Sequence, residues 1–336
     1  MSLFKTTRDI THYLYCYLER AKQADATMGE ETITELLSIE LKTVLSSMSD
    51  INTRFVQCNK STEKKTGSDF LWYIQSTKTR KYVGLYVQAK KSPYTNGKCD
   101  LSHNYKNPIT VGSSGLIKTQ VDNLIYKAKE AEAIPLYCVY NYLDYRYMNS
   151  VNHPPYLSAR RWPTILMEPK EFSFTYVNAK HVKTLLSETK GTQNRRTFDF
   201  EEIKEMPFYS LFGNQHGTNT NKTIIETIIK NATIMSEEQD ENRYLLDSLP
   251  KHIEELLEGG SEYAQNVDNS IKKLLPAYIL VTSTDQEISE EISEKLVEKI
   301  IKEEWEEEEG RLPHLRYLLN CESNYSLKYF LKYSSR

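Results

Sequence analysis

The change of hydrophobic period along the first 140 residues constrains the fold of this chain more than any other property. Residues 6–24 carry Ile10, Tyr13, Leu14 and Leu18 on one face of a 3.6-residue repeat. A stronger helix is predicted over Glu30–Met48, with Ile33, Leu36, Leu37, Leu41, Val44 and Leu45 on its apolar stripe. The period then drops to two. Thr53–Gln57, Asp69–Ile74 and Tyr82–Lys90 read as strands, and Gln75–Lys81 reads as the hairpin loop between the last two. After a polar loop, Pro93–Pro108, a helix is predicted over Leu116–Ala131, with Ile117, Val121, Leu124, Ile125 and Ala128 facing inward. The run IPLYCVY, Ile134–Tyr140, is almost continuously apolar, as in a strand covered on both faces. Helices and strands in this order predict an α/β chain of the α+β kind, a mixed sheet flanked by helices.

The second half alternates less clearly. Residues 154–169 contain Pro154, Pro155 and Pro163 and resist regular structure. Phe172–Val177 and Ala277–Thr282 read as strands, and Ala179–Ser187, Lys222–Ile234 and Asn242–Leu257 as helices. Glu287–Glu309 is a long acidic helix ending in EEWEEEE, read as a solvated face. The pattern divides the chain into a core, 1–190, and a mainly helical accessory region, 191–336, which lends the core the strand 277–282.

Composition excludes several classes. With 39% hydrophobic and 26% charged residues among 336, the chain has enough apolar mass for a core and is not disordered throughout. It has no apolar run long enough for a membrane helix, and Met1–Arg8 lacks an apolar h-region. Five scattered cysteines without a C-x-x-C pair suit reduced thiols, so a cytoplasmic location without membrane contact is expected. The seven histidines have no zinc-site spacing, and neither a P-loop nor a G-x-S-x-G turn is present. Gly112-Ser113-Ser114-Gly115 stands before the predicted helix and reads as a turn and cap.

The chemistry concentrates in Gly67–Lys91, GSDFLWYIQSTKTRKYVGLYVQAKK. Strand side chains alternate, so Val83, Leu85, Val87 and Ala89 point one way and Tyr86, Gln88 and Lys90 the other. A hairpin then brings Asp69, at the start of one strand, toward Gln88 and Lys90 at the end of the next. A carboxylate and an amide oxygen are hard donors that suit a divalent cation, and a lysine beside them can hold water or phosphate charge. A further carboxylate from the preceding helix, Glu30, Glu31 or Glu35, would complete the ligand set. Between residues 60 and 100 nine basic residues stand against three acidic ones, a local charge of +6 in a chain of −3. Lys64, Lys65, Arg80, Lys81 and Lys91 belong to this island, which suits a polyanion. Gln120, near the start of the next helix, is placed to reach the same strand ends.

These residues resemble the PD-(D/E)XK, or restriction-endonuclease-like, nucleases. The pattern there is a helix with Glu, a strand with Asp, a strand with an acid or Gln two residues before Lys, then a helix and a strand. Here it runs through Glu31, Asp69 in GSD, Gln88-Ala89-Lys90, helix Leu116–Ala131 and strand Ile134–Tyr140. Gln in place of the second acid is similar to the Mrr-type D…QxK branch. The stretches GEETITELL, GSDFLWYI, GLYVQAKK and IPLYCVYN resemble a group of uncharacterised bacterial proteins with this core. The resemblance implies a metal-dependent endonuclease, a hydrolase acting on DNA, with RNA also open, in restriction or antiphage defence. It implies Mg²⁺ or Mn²⁺ on Asp69, Gln88 and Glu31, with Lys90 at the attacking water. Lys64, Lys65, Arg80, Lys81, Lys91 and Gln120 would then hold nucleic acid, and a partner protein or a second copy is possible. The family pattern favours Glu31, whereas helical phase brings Glu30 nearer the core. The alternative is a catalytically silent module of the same fold that binds nucleic acid or protein.

Overall fold

A computed structural model describes residues 3–49, 51–58, 69–92, 98–111, 115–143, 169–188, 197–213, 223–233, 236, 241–272 and 275–284. Its helices are α1 (Leu3–Gln23), α2 (Glu30–Ser46), α3 (Gln120–Glu130), α4 (Ala179–Glu188), α5 (Phe200–Ile203), α6 (Ile224–Thr233), α7 (Lys251–Asn266) and α8 (Asn269–Lys272). Its strands are β1 (Ile51–Gln57), β2 (Phe70–Ser76), β3 (Tyr82–Lys91), β4 (Lys98–Asp100), β5 (Asn104–Val111), β6 (Gly115–Thr119), β7 (Ala133–Tyr140), β8 (Phe174–Asn178), β9 (Thr197–Asp199), β10 (Met206–Pro207) and β11 (Tyr278–Thr284).

Seven strands form one mixed sheet in the order β1-β11-β2-β3-β7-β8-β10. β2 and β3 pair as the expected antiparallel hairpin, and β3 reaches the parallel strand β7 through α3. Every residue of β7 is buried, as its apolar run predicts. One face of the sheet, with Trp72, Leu85, Val87 and Cys138, packs under α1, α2, α6 and the 3₁₀ turn Phe208–Phe212. The other, with Tyr73, Tyr86, Tyr137 and Val139, packs under α3, α4 and the first part of α7. The result is a mixed α/β sheet covered by helices on both sides. β11, from the second half of the sequence, lies between β1 and β2, antiparallel to the first and parallel to the second. Trp72 ties this junction by donating from Nε1 to Thr282 Oγ1 at 2.9 Å.

Three expected elements differ. The helix expected over Leu116–Ala131 is a strand followed by a helix: β6 ends at Thr119, whose side chain accepts from Asp122 N and starts α3. Gly112-Ser113-Ser114-Gly115 therefore does not precede a helix; Val111 and Gly115 pair across the β5–β6 hairpin, and 112–114 lie outside the described residues. The loop Pro93–Pro108 includes β4 and the start of β5. The helix expected over Asn242–Leu257 begins only at Lys251, because Pro250 lacks a backbone N–H and sits comfortably just before a first turn. Residues 154–168, Trp162 and the acidic segment 287–309 lie outside the described residues. Among the described residues no helix is long and apolar enough to cross a membrane, and Cys16, Cys58, Cys99 and Cys138 are free thiols.

One glycine is fixed by packing. A Cβ on Gly84 would lie 2.8 Å from both Ala133 Cβ and Tyr73 Cε1. The close approach leaves Tyr73 room to donate its hydroxyl to the Ala131 carbonyl at 2.6 Å, pinning the end of α3 to the sheet.

Candidate active site

The chain just before β2 supplies Asp69, and the last residues of β3 supply Gln88, Lys90 and Lys91. Asp69 Oδ2 accepts the Ala89 amide at 2.6 Å and the Gln88 side-chain amide at 2.8 Å. The Asp69 carboxylate thus replaces a backbone carbonyl where β2 has not yet begun. Two residues on, the Lys91 amide donates to Glu30 Oε2 at 3.0 Å. Alternate N–H groups of a strand point the same way, so two carboxylates cap one row of β3 donors, about 7 Å apart along the strand. The Lys91 ammonium donates to the Met28 carbonyl at 2.6 Å and fixes the start of α2 against β3.

Donor and acceptor roles are clear at Gln88. Its Nε2 donates to a carboxylate, so the amide oxygen is the atom left to accept. That oxygen is buried and has no hydrogen-bond partner among the described residues. Asp69 is 2% exposed and Gln88 5%, whereas Lys90 and Glu30 are half-buried. Lys90 stands on the same face of β3 as Gln88 and has no carboxylate partner among the described residues. Around this strand end, burial chiefly raises the Tyr140 phenol well above its ordinary value. Asp69 adds to the effect, a hydrogen bond with Thr34 opposes it, and Glu30 contributes a smaller upward push. Both site carboxylates therefore act on one buried hydroxyl. Burial likewise raises the Cys99 thiol, with Glu205 adding to the effect and Lys90 opposing it.

Glu30, Asp69, Gln88 and Lys90 are brought to one strand end. Glu31 is exposed one position round the helix, so helical phase identifies the carboxylate that reaches β3 where the family pattern points to its neighbour. Glu35 lies a turn further along α2, half-buried. The expected basic rim is divided. Lys78, Arg80 and Lys81 sit in the turn at the far end of the β2–β3 hairpin, seven strand residues or about 23 Å from Asp69. Lys81 there pairs with Asp247 at 3.1 Å. Lys64 and Lys65 lie outside the described residues. Gln120 is the first residue of α3, and its amide N donates to the carbonyl of the exposed His103 at 2.8 Å.

Two features lie beyond those picked out in the sequence. Tyr137 is paired in register with Gln88 across β3 and β7, a neighbour that alternation within IPLYCVY would have revealed once the strands were known to be adjacent. Glu205, fully buried, accepts from Asn141 Nδ2 at 2.7 Å and from Thr175 Oγ1 at 2.5 Å. Burial raises its carboxyl to about 7 against the opposing effect of those hydrogen bonds. It carries no local sequence signal, since its partners are 64 and 30 residues away.

Among the described residues no group of three His, Cys, Asp or Glu side chains is placed to hold a metal. Any cation here requires the Gln88 amide oxygen as well as the carboxylates. A family model, DUF6615, described as a family of unknown function, matches residues 3–310. No curated protein and no solved structure matches the chain.

Proposed function

The chain belongs to the DUF6615 family, and we propose that it is a divalent-metal-dependent endonuclease of the PD-(D/E)XK type acting on DNA. The observation that carries this reading is the buried, unpartnered Gln88 amide oxygen beside Asp69, with the Lys90 ammonium on the same face. A buried acceptor without a donor is costly, by about 1–3 kcal/mol, and is rarely kept without a use. Asp69, Glu30 and Gln88 offer oxygen donors only, the chemistry that suits Mg²⁺ or Mn²⁺. Once bound, such an ion supplies Lewis acidity at a phosphate.

The protein's own groups account for the rest. Asp69 holds the Gln88 amide in one orientation through its 2.8 Å hydrogen bond. Glu30 is held at the end of β3 by the Lys91 amide and by the Lys91–Met28 contact. Lys90, without a competing carboxylate, is available to hold an attacking water or to offset charge on the phosphate. Its half-buried stem is the side from which a polynucleotide would approach, because Asp69 and Gln88 are closed to solvent.

The test is incubation of supercoiled plasmid with the purified protein in Mg²⁺, Mn²⁺ or EDTA, alongside Lys90→Ala. Cleavage only with metal, lost in a folded Lys90→Ala protein, is expected. Cleavage in EDTA, or undiminished cleavage by the variant, would count against the reading. The burial of Asp69 and its two hydrogen bonds also suit a structural acid, which favours the silent binding module as the second reading. That module would bind DNA in a salt-sensitive way and cleave it with no metal.

A further inference from the structure

Three polar groups on the α3 side of the sheet have no hydrogen-bond partner among the described residues. They are the amide oxygens of Gln88 and Gln120 and the hydroxyl of Tyr137. Tyr137 is fully buried and Gln88 is 5% exposed. Register sets Gln88 opposite Tyr137 on neighbouring parallel strands, and alternation turns both side chains toward the face that carries Tyr86, Val139 and α3. Gln120 reaches the same level by helix geometry. α3 runs back against β3, and its far end is fixed where Tyr73 meets the Ala131 carbonyl, beside Gly84. Eleven helical residues rise about 16 Å. Five strand steps, from Gly84 to Ala89, span about the same length. The first residue of α3 is thereby level with Gln88 and Lys90.

The chemistry of the trio identifies what belongs between them. Amide oxygens only accept, and one phenol hydrogen cannot serve two of them. Buried groups of this kind are met by ordered water, which needs two to four polar partners and supplies two hydrogens. We infer that the recess between β3, β7 and α3 holds ordered water, and that Tyr137 is a positioning residue. Through that water its hydroxyl fixes the Gln88 amide, leaving the second lone pair of the amide oxygen for the cation. The positioning role rests on the proposed metal site; the hydrated recess does not.

Tyr137→Phe separates the two. Its Tm is measured in EDTA, and the Mg²⁺ dependence of its Tm is then titrated beside the wild type. A hydroxyl held by water is lost at a cost, so the EDTA Tm is expected to fall by a few degrees, and Gln120→Met is expected to act in the same direction. Removing an outer partner of a metal ligand raises the Mg²⁺ midpoint roughly 10- to 100-fold. An unchanged or higher EDTA Tm for Tyr137→Phe overturns the hydrated recess. A lower Tm with an unmoved Mg²⁺ midpoint, or a wild-type Tm that ignores Mg²⁺, overturns the positioning role. A shifted midpoint in a protein that cleaves nothing upholds the inference and removes the nuclease reading instead.

Discussion

Replacing Asp69 by Asn changes one charge in nearly constant shape, and the structure sets the size of the effect. Asp69 Oδ2 accepts two buried hydrogen bonds, from Ala89 N at 2.6 Å and Gln88 Nε2 at 2.8 Å. Hydrogen bonds to a charged acceptor are worth about 1.5–3 kcal/mol, against about 1 kcal/mol between neutral partners. Asn keeps an acceptor oxygen, so each bond weakens by about 1 kcal/mol and the pair by about 2 kcal/mol. For a chain of 336 residues the Tm should fall by roughly 3 °C in EDTA. The sign is diagnostic. At a site where carboxylates merely repel one another, removing a charge raises the Tm of the metal-free protein. Here the carboxylate is satisfied by donors, and its loss is destabilising. Plasmid cleavage at saturating Mg²⁺ should drop at least 100-fold in the same protein, the order seen when one electrostatic group of an active site is removed. The assay pairs thermal unfolding in EDTA with initial cleavage rates. A higher Tm would refute the view that Asp69 orients Gln88, and retained cleavage would refute its role in the chemistry.

Other perturbations test separate parts. Glu30→Gln should reduce cleavage at least 100-fold and Glu31→Gln less than about 2-fold, because only Glu30 reaches β3; equal effects in matched rate assays would contradict the helical phase. Gly84→Ala should lose about 1–3 kcal/mol in urea unfolding, since its Cβ would meet Ala133 and Tyr73 at 2.8 Å, and a neutral result would show that β3 can shift. The Glu205 carboxyl, raised by burial from its ordinary 4.5 to about 7, keeps a proton between those pH values that the unfolded chain releases. Its contribution is therefore full below about pH 4.5, falls as pH rises toward 7 and is flat above, a total of roughly 3 kcal/mol. Glu205→Gln should remove this slope, as read by urea unfolding at pH 5 and pH 8. Glu171 behaves oppositely: although burial alone would raise its carboxyl, His12 and Arg8 hold it well below the ordinary value. Its stabilisation is present above about pH 4.5 and lost as pH falls through the depressed value, so Glu171→Gln should flatten the acid limb of the same curve.

What the sequence made legible was local. Periodicity located α1 and α2, alternation located β2 and β3, and an unbroken apolar run located β7. The errors arose where two elements share one pattern or a breaker was overlooked. Ile117 and Val121 fit a single helical stripe, yet the Thr119 cap divides strand from helix between them. Pro250 sits inside a stretch that otherwise reads as one helix. At the site, Asp69, Gln88 and Lys90 were legible because hairpin register follows from alternation. The choice between Glu30 and Glu31 was decided by helix phase, a rotation of about 100° per residue. Tyr137 and Glu205 were illegible because their roles depend on strand neighbours far away in sequence. The basic island looked like one patch because its residues are close along the chain, but the β2–β3 hairpin sets Lys78, Arg80 and Lys81 one strand length from Lys90 and Lys91.

The place of β11 has a consequence for biogenesis. A ribosome finishes β1 and β2 more than 200 residues before it makes the strand that belongs between them. Until Tyr278–Thr284 emerges, two unsatisfied edges face each other across a gap, open to mispairing with other nascent chains. Synthesis of the molecule therefore ends with insertion of a keystone, and a fragment that stops short of residue 278 should be found in inclusion bodies or bound to chaperones.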